Sequence, residues 1–303
     1  MERRPAVGAG LVLAAAALWG TLGLFGKVLY RYGFTPLELA SARASIGLLG
    51  LAAGALFRPG VLRVPLRSLP FLALYGIGGY ALFETLYFMA VERTTIAVAA
   101  ALLYTAPAFV VLLAAAFERE RLSRAGLAAL GLVLLGVFLV TGAARSLLSG
   151  QAALSPLAVA LGLGSGLMYG AYTLMSKRAM REFQPVTAVF WVFLFASLAL
   201  ALLAPPWRIA TRAPAALPIL AAMGLVPTLG AFLLYLAGLR HLPATTASML
   251  ATVEPVVAAA LGVLFLGERL GADRLAGVLC IVAAALLLAW AERPRQRPVT
   301  FGG

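Results

Sequence analysis

Three ionisable residues lie inside otherwise apolar runs of this chain: Arg43, Glu84 and Glu254. A charge in hydrocarbon is expensive, so each needs a partner or a task. Counted from the ends of their runs, Arg43 and Glu84 sit roughly 9 and 12 Å deep on the same side, at 1.5 Å per residue. They could form an ion pair. Such a pair can be a structural tie between two helices, or a carboxylate offered to substrate or proton. Glu254 falls near the middle of its run and precedes Pro255, which removes a backbone donor and frees a carbonyl near Ala251. An acid beside a broken helix at mid-depth is a candidate coupling site for a proton or cation. The alternative is a carboxylate that caps the freed backbone.

Glu84 has informative neighbours. Tyr80, Phe83, Glu84 and Tyr87 fall at i, i+3, i+4 and i+7, one face of a helix. The face Thr228, Ala231, Phe232 and Tyr235 occupies the matching place later in the chain. Two such faces would make opposite walls of one cavity. Trp19, Tyr104, Tyr169 and Thr252 complete the candidate substrate wall. Aromatic stripes alone more often fill a core, and the acid within this one is what favours a cavity. Thr252 and Glu254 point about 200° apart on a regular helix, so both face one cavity only if Pro255 distorts it. Lys27 and Lys177, the chain's two lysines, hold matching positions after Trp19-Gly20 and Tyr169-Gly170. They are candidate gate latches, with snorkelling to headgroups as the plainer reading. Glycines at 20, 23 and 26 and at 162, 166 and 170 mark close helix approaches.

No catalytic set accompanies these residues. His241, Cys280 and Asp273 are each the sole residue of their type. That leaves no ordinary zinc ligand set and no nucleophile–histidine–acid set. No Walker sequence is present, so ATP does not drive this chain by itself. No enzyme activity and no cofactor are expected. The net charge of +13 is spread in short arginine clusters between apolar runs. That pattern points to lipid headgroups and membrane orientation, not to nucleic acid.

The elements that must position these residues are membrane helices. Only 12% of the residues are charged against 63% hydrophobic, with mean hydropathy +0.99, and no polar stretch is long enough for a soluble domain. A span needs roughly 20 apolar residues. About ten such runs occur: 6–29, 37–57, 69–91, 95–117, 125–143, 156–177, 185–204, 216–239, 244–266 and 272–291. The first, behind Glu2-Arg3-Arg4, reads as an uncleaved span. The expected fold is an all-α integral membrane protein.

The chain also repeats itself. Leu69-Pro70, Gly76, Leu86-Tyr87, Pro107 and Glu120-Arg121-Leu122 recur as Leu217-Pro218, Gly224, Leu234-Tyr235, Pro255 and Glu268-Arg269-Leu270, always 148 residues later. Helices 1–5 (residues 1–150) and 6–10 (151–292) are thus two copies, with 293–303 as a disordered cytoplasmic tail. Five spans is an odd number, so the second copy enters from the other side and the ten transmembrane helices form two inverted five-helix repeats. That geometry supports alternating access. With the N-terminus inside, inner loops hold nearly twice the Lys and Arg of outer loops, which places both termini in the cytoplasm.

The segment "LPATTASMLATVEPVVAAALGVLFLGERLGADRLAGVLCIVAAALLL" and its earlier counterpart "TTIAVAAALLYTAPAFVVLLAAAFERERLSRAGLAALGLVLLGVFLV", with "LWGTLGLFGK" in helix 1, resemble the EamA group of the drug/metabolite transporter superfamily. The resemblance covers nearly the whole chain. It implies a ten-helix inner-membrane carrier with inverted repeats, many relatives exporting amino acids or related metabolites. The family often has Glu-Pro where this chain has Glu254-Pro255, which favours structure or gating over substrate choice for that acid. The first copy departs from the pattern with Ala106-Pro107. The expected function is secondary transport of amino acids or related zwitterions and amines. A nucleotide-sugar or drug carrier of the same fold, or a membrane scaffold, is the alternative. The expected partners are a small-molecule substrate and the lipid bilayer, with a homodimer left open and nucleic acid excluded.

Overall fold

The computed structural model describes residues 5–56, 60–106, 108–109, 124–140, 154–239, 241, 250–251 and 253–291. Among the described residues the regular structure is helical throughout. Helix labels follow chain order: α1 Pro5–Tyr30, α2 Pro36–Ala55, α3 Leu66–Arg93, α4 Ile96–Leu103, α5 Arg124–Val140, α6 Pro156–Glu182, α7 Pro185–Leu203, α8 Pro214–Gly238, α9 Val253–Leu266 and α10 Ala272–Ala291. Six of them are long and apolar enough to cross a membrane: α1, α2, α3, α6 to Ser176, α7 and α8. Stretches Arg124–Leu139 and Val253–Leu266 are apolar but shorter. Parts of the runs expected at 95–117, 125–143 and 244–266, and the 293–303 tail, lie outside the described residues.

The helix starts have local causes. Thr35 and Glu38 form a reciprocal capping box ahead of α2, with Pro36 at the first turn. Thr95 caps α4 by accepting from Val98 N at 3.2 Å. Ser155 and Pro156 open α6 in the same way, and Pro185 opens α7.

Large apolar side chains face outward while Arg43, Glu84 and Glu254 lie inside. Leu202 and Leu264 are 85% and 75% exposed, whereas Arg43 and Glu84 are 1% and 3% exposed. Water would reverse that order, and lipid permits it. One large apolar core joins residues from α1–α4 and α6–α8. Helix α5 packs against α10 beside it, around Ala129, Val133 and Ala284.

The duplication has a backbone signature. Helix α3 runs as a 3₁₀ turn (Leu66–Ser68), an α segment (Leu69–Leu74), a π segment (Tyr75–Ala81) and a second α segment (Leu82–Arg93). Helix α8 repeats that order at Pro214–Ala216, Leu217–Gly224, Leu225–Gly230 and Ala231–Leu239. A π turn inserts a residue and rotates the remainder of the helix, and it recurs at functional sites. In α8 its cause is visible. Pro227 cannot donate a backbone bond to Met223, and the Thr228 hydroxyl donates to the Met223 carbonyl instead, at 2.9 Å.

Candidate functional site

Arg43 of α2 bonds both Thr228 in the α8 π segment and Glu84, one turn past the α3 π segment. Its Nε donates to Thr228 Oγ1 at 2.7 Å, and its Nη1 donates to Glu84 Oε2 in a buried ion pair. Three elements thus supply one junction: α2 the guanidinium, α3 the carboxylate, α8 the hydroxyl. Because the Thr228 proton is committed to Met223, Thr228 can only accept from Arg43. Tyr80 stands beside the pair, with its ring centroid 6.0 Å from the guanidinium carbon.

Rings wall this junction. Tyr80 meets Phe83, Phe193 and Phe232 at centroid distances of 5.7, 5.0 and 6.3 Å. Phe83 continues to Tyr169 at 5.3 Å, and Tyr169 to Tyr104 at 6.4 Å. On the far side Trp19 contacts Phe232 and Tyr235 at 5.4 and 5.2 Å. Such ring pairs contribute about 0.5–1.5 kcal/mol each beyond area burial.

A second polar centre lies on α9. Glu254 is buried, and its Oε2 stands 2.9 Å from the Tyr104 hydroxyl. That hydroxyl is also 2.8 Å from the carbonyl of Ala251, the group that Pro255 leaves free. The distortion expected at Pro255 is therefore answered by a tyrosine of the other half.

A third centre joins the halves at the α3–α4 turn. Lys27 Nζ donates to the Thr94 carbonyl at 2.6 Å. Ile96 N, at the first turn of α4, donates to Glu268 Oε1 at 2.9 Å. A Cβ on Gly262 would strike Glu268 Oε2, so the glycine makes room for the carboxylate. Glu268 lies in the turn between α9 and α10, and its removal from water raises its carboxyl above the usual range against the opposing pull of the Ile96 N–H and Lys27.

Of the residues singled out in the sequence, Trp19, Tyr80, Phe83, Glu84, Arg43, Thr228, Phe232, Tyr235, Tyr104 and Tyr169 come together in this continuous network. Tyr87 makes its ring contact with Phe88, and its hydroxyl lies close to Gly23 of α1. Thr252 lies outside the described residues, as does the Lys177 side chain. The glycine stripes are packing contacts: a Cβ on Gly20 would fall 2.8 Å from Val257 and 3.0 Å from the Glu254 carbonyl. Tyr172, Tyr75 and Phe193 belong to the wall and were not singled out. Tyr172 follows Tyr169 by one turn and was open to the same spacing argument, whereas Phe193 sits in a helix without an ionisable residue and has nothing to mark it. The Tyr75 hydroxyl lies 2.6 Å from Ser176, whose own proton goes to the Tyr172 carbonyl, so Tyr75 is the donor.

The model of the EamA-like transporter family matches residues 6–142 and again 156–290. An uncharacterized transporter of Archaeoglobus fulgidus is 30% identical over 287 residues, covering 94% of this chain and 97% of that protein. The threonine/homoserine exporter RhtA of Escherichia coli is 26% identical over 278 residues, covering 91% and 88%. A solved crystal structure shares the fold with a TM-score of 0.63 at 21% identity, covering 96% of this chain and all of that one.

Proposed function

The chain belongs to the EamA-like transporter family, and from that premise we propose that it exports amino acids or related small zwitterions and amines by alternating access. It is a multi-pass membrane transporter and not an enzyme. The observation that carries the substrate class is the Arg43–Glu84–Thr228 junction, buried among rings from both halves. One guanidinium, already facing a carboxylate, suits no phosphate or nucleotide, which would want a fork or cluster of free cations. Aromatic faces favour apolar or flat side chains and attract ammonium groups. The relative named as a threonine/homoserine exporter is compatible with that chemistry.

The working architecture is ten transmembrane helices in two inverted five-helix repeats, 1–150 and 151–292, in the inner membrane with both termini cytoplasmic. The shared 3₁₀–α–π–α order of α3 and α8 supports it. The candidate substrate wall is Trp19, Tyr80, Phe83, Glu84, Tyr104, Tyr169, Thr228, Phe232 and Tyr235. Glu254 is the candidate coupling group, and Lys27 the candidate latch on one side.

Reconstituted proteoliposomes test the reading. Saturable uptake of at least one amino acid or amine is the expected result. Saturable uptake of a nucleotide sugar, with none of any amino acid or amine, overturns it.

A further inference from the structure

The buried ion pair leaves donors unused. Arg43 directs Nε to Thr228 and Nη1 to Glu84, and among the described residues no hydrogen bond leaves Nη2. The Tyr80 hydroxyl is buried with no partner among the described residues, and its ring centre stands 6.0 Å from the Arg43 guanidinium carbon. An orphaned buried hydroxyl together with a guanidinium that has a spare N–H is a costly arrangement for a purely structural tie. It is what a site needs if a carboxylate is to arrive there.

Charge balance narrows the ligand. A lone carboxylate placed on Arg43 would leave Glu84 without its counter-ion. A lone ammonium placed on Glu84 would do the same to Arg43. Either result is a buried unpaired charge. A zwitterion avoids both, since its two charges enter together and the site keeps its net charge of zero. Four charges of alternating sign then replace two, with no proton taken up or released.

We propose that the Arg43–Glu84 pair opens to receive the head group of an α-amino acid, the carboxylate on Arg43 Nη2 and the Tyr80 hydroxyl, the ammonium on Glu84. This rests on the reading of the chain as a carrier of small zwitterions, and it excludes simple amines from the amines-or-zwitterions class. The side chain of the ligand lies against Phe83, Phe193 and Phe232. Thr228 holds the near edge of the guanidinium fixed while the far edge changes partner.

The test uses the purified full-length chain and the standard L-amino acids, each with its methyl ester and its decarboxylated amine. Binding is read as the ligand-dependent rise in melting temperature and as competition for uptake in proteoliposomes. The best amino acid is expected to bind about thirty-fold or more tightly than its ester and its amine, the consequence of leaving one buried charge unpaired. Tyr80→Phe is expected to weaken the amino acid about ten-fold, leave the amine unchanged, and melt no lower than the parent. An amine or ester that binds within about three-fold of its amino acid overturns the subsite while the carrier reading stands. Tyr80→Phe with unaltered amino-acid binding overturns it too. If no amino acid, ester or amine binds or is transported, the subsite and the carrier reading fall together.

Discussion

The Tyr104 hydroxyl has two acceptors and one proton: the Ala251 carbonyl at 2.8 Å and Glu254 Oε2 at 2.9 Å. A phenol cannot donate fully to both. The proton is shared between them in a three-centre bond, so Glu254 competes with the Ala251 carbonyl for it. A carboxyl that took up a proton of its own, as a coupling group does at one stage of a cycle, would donate to the phenol oxygen and end that competition.

Glu254→Gln supplies an amide donor in place of that proton. It is expected to fold with a melting temperature close to the parent's, to lose proton-driven accumulation and to keep solute exchange. Accumulation against a gradient by this variant removes Glu254 as the coupling group. Tyr104→Phe instead strips the donor from the Ala251 carbonyl and is expected to cost about 1–3 kcal/mol.

The Arg43–Glu84 pair carries its own prediction. Glu84→Gln leaves a buried guanidinium without its counter-charge and should cost about 3–5 kcal/mol in thermal or denaturant unfolding. Replacing both partners by Met removes the charges together and should be neutral or stabilising by about 1–4 kcal/mol. Both variants should abolish transport. A double variant that transports at the parental rate makes the pair dispensable to function.

Depth arithmetic brought Arg43 and Glu84 together in the sequence because rise per residue is uniform along a helix. The third partner was not accessible that way. Thr228 reaches Arg43 from a π segment, where one extra residue shifts the face of everything after it. Tyr80 lies in the matching π segment of α3, so the register changes between it and Phe83, Glu84 and Tyr87, which share the α segment that follows. Periodicity assumes an unbroken α-helix, and it fails where the register changes. Pro227 was the one signal for the break in α8. In α3 only the glycines of Tyr75-Gly76-Ile77-Gly78-Gly79 hinted at one. Glu268 was legible as a repeated Glu-Arg-Leu, but its acceptor role at the start of α4 depends on a contact 172 residues away.

That contact should be sensitive to pH. Burial raises the Glu268 carboxyl above its unfolded value, so folding favours its protonated form. The contribution to stability is then fully present below the unfolded pKa and is lost as pH rises through the folded one. Relative to Glu268→Gln, the parent's melting temperature is expected to fall as pH rises from about 4 towards neutrality. A parent and variant with parallel melting curves across that range would show that Glu268 titrates as it does in the unfolded chain.

Orientation supplies the last prediction, and it bears on the span count. Cys280, the native thiol, is half-buried in α10 and is first replaced by Ala. Single cysteines then go in at Arg4, Arg145 and Arg297, and intact cells are treated with a membrane-impermeant thiol reagent. In the proposed topology, the excess of Lys and Arg on one set of loops puts residues 4 and 297 inside and 145 outside. Labelling is therefore expected at position 145 alone until the cells are permeabilised. Five spans per half, if present, would carry residue 145 to the opposite face from residue 4. Reaction of one terminus but not the other would mean an odd number of spans and would end the ten-helix architecture. Reaction at 4 and 297 but not at 145 would turn the molecule over in the membrane, and with it the side on which Lys27 and Glu268 lie.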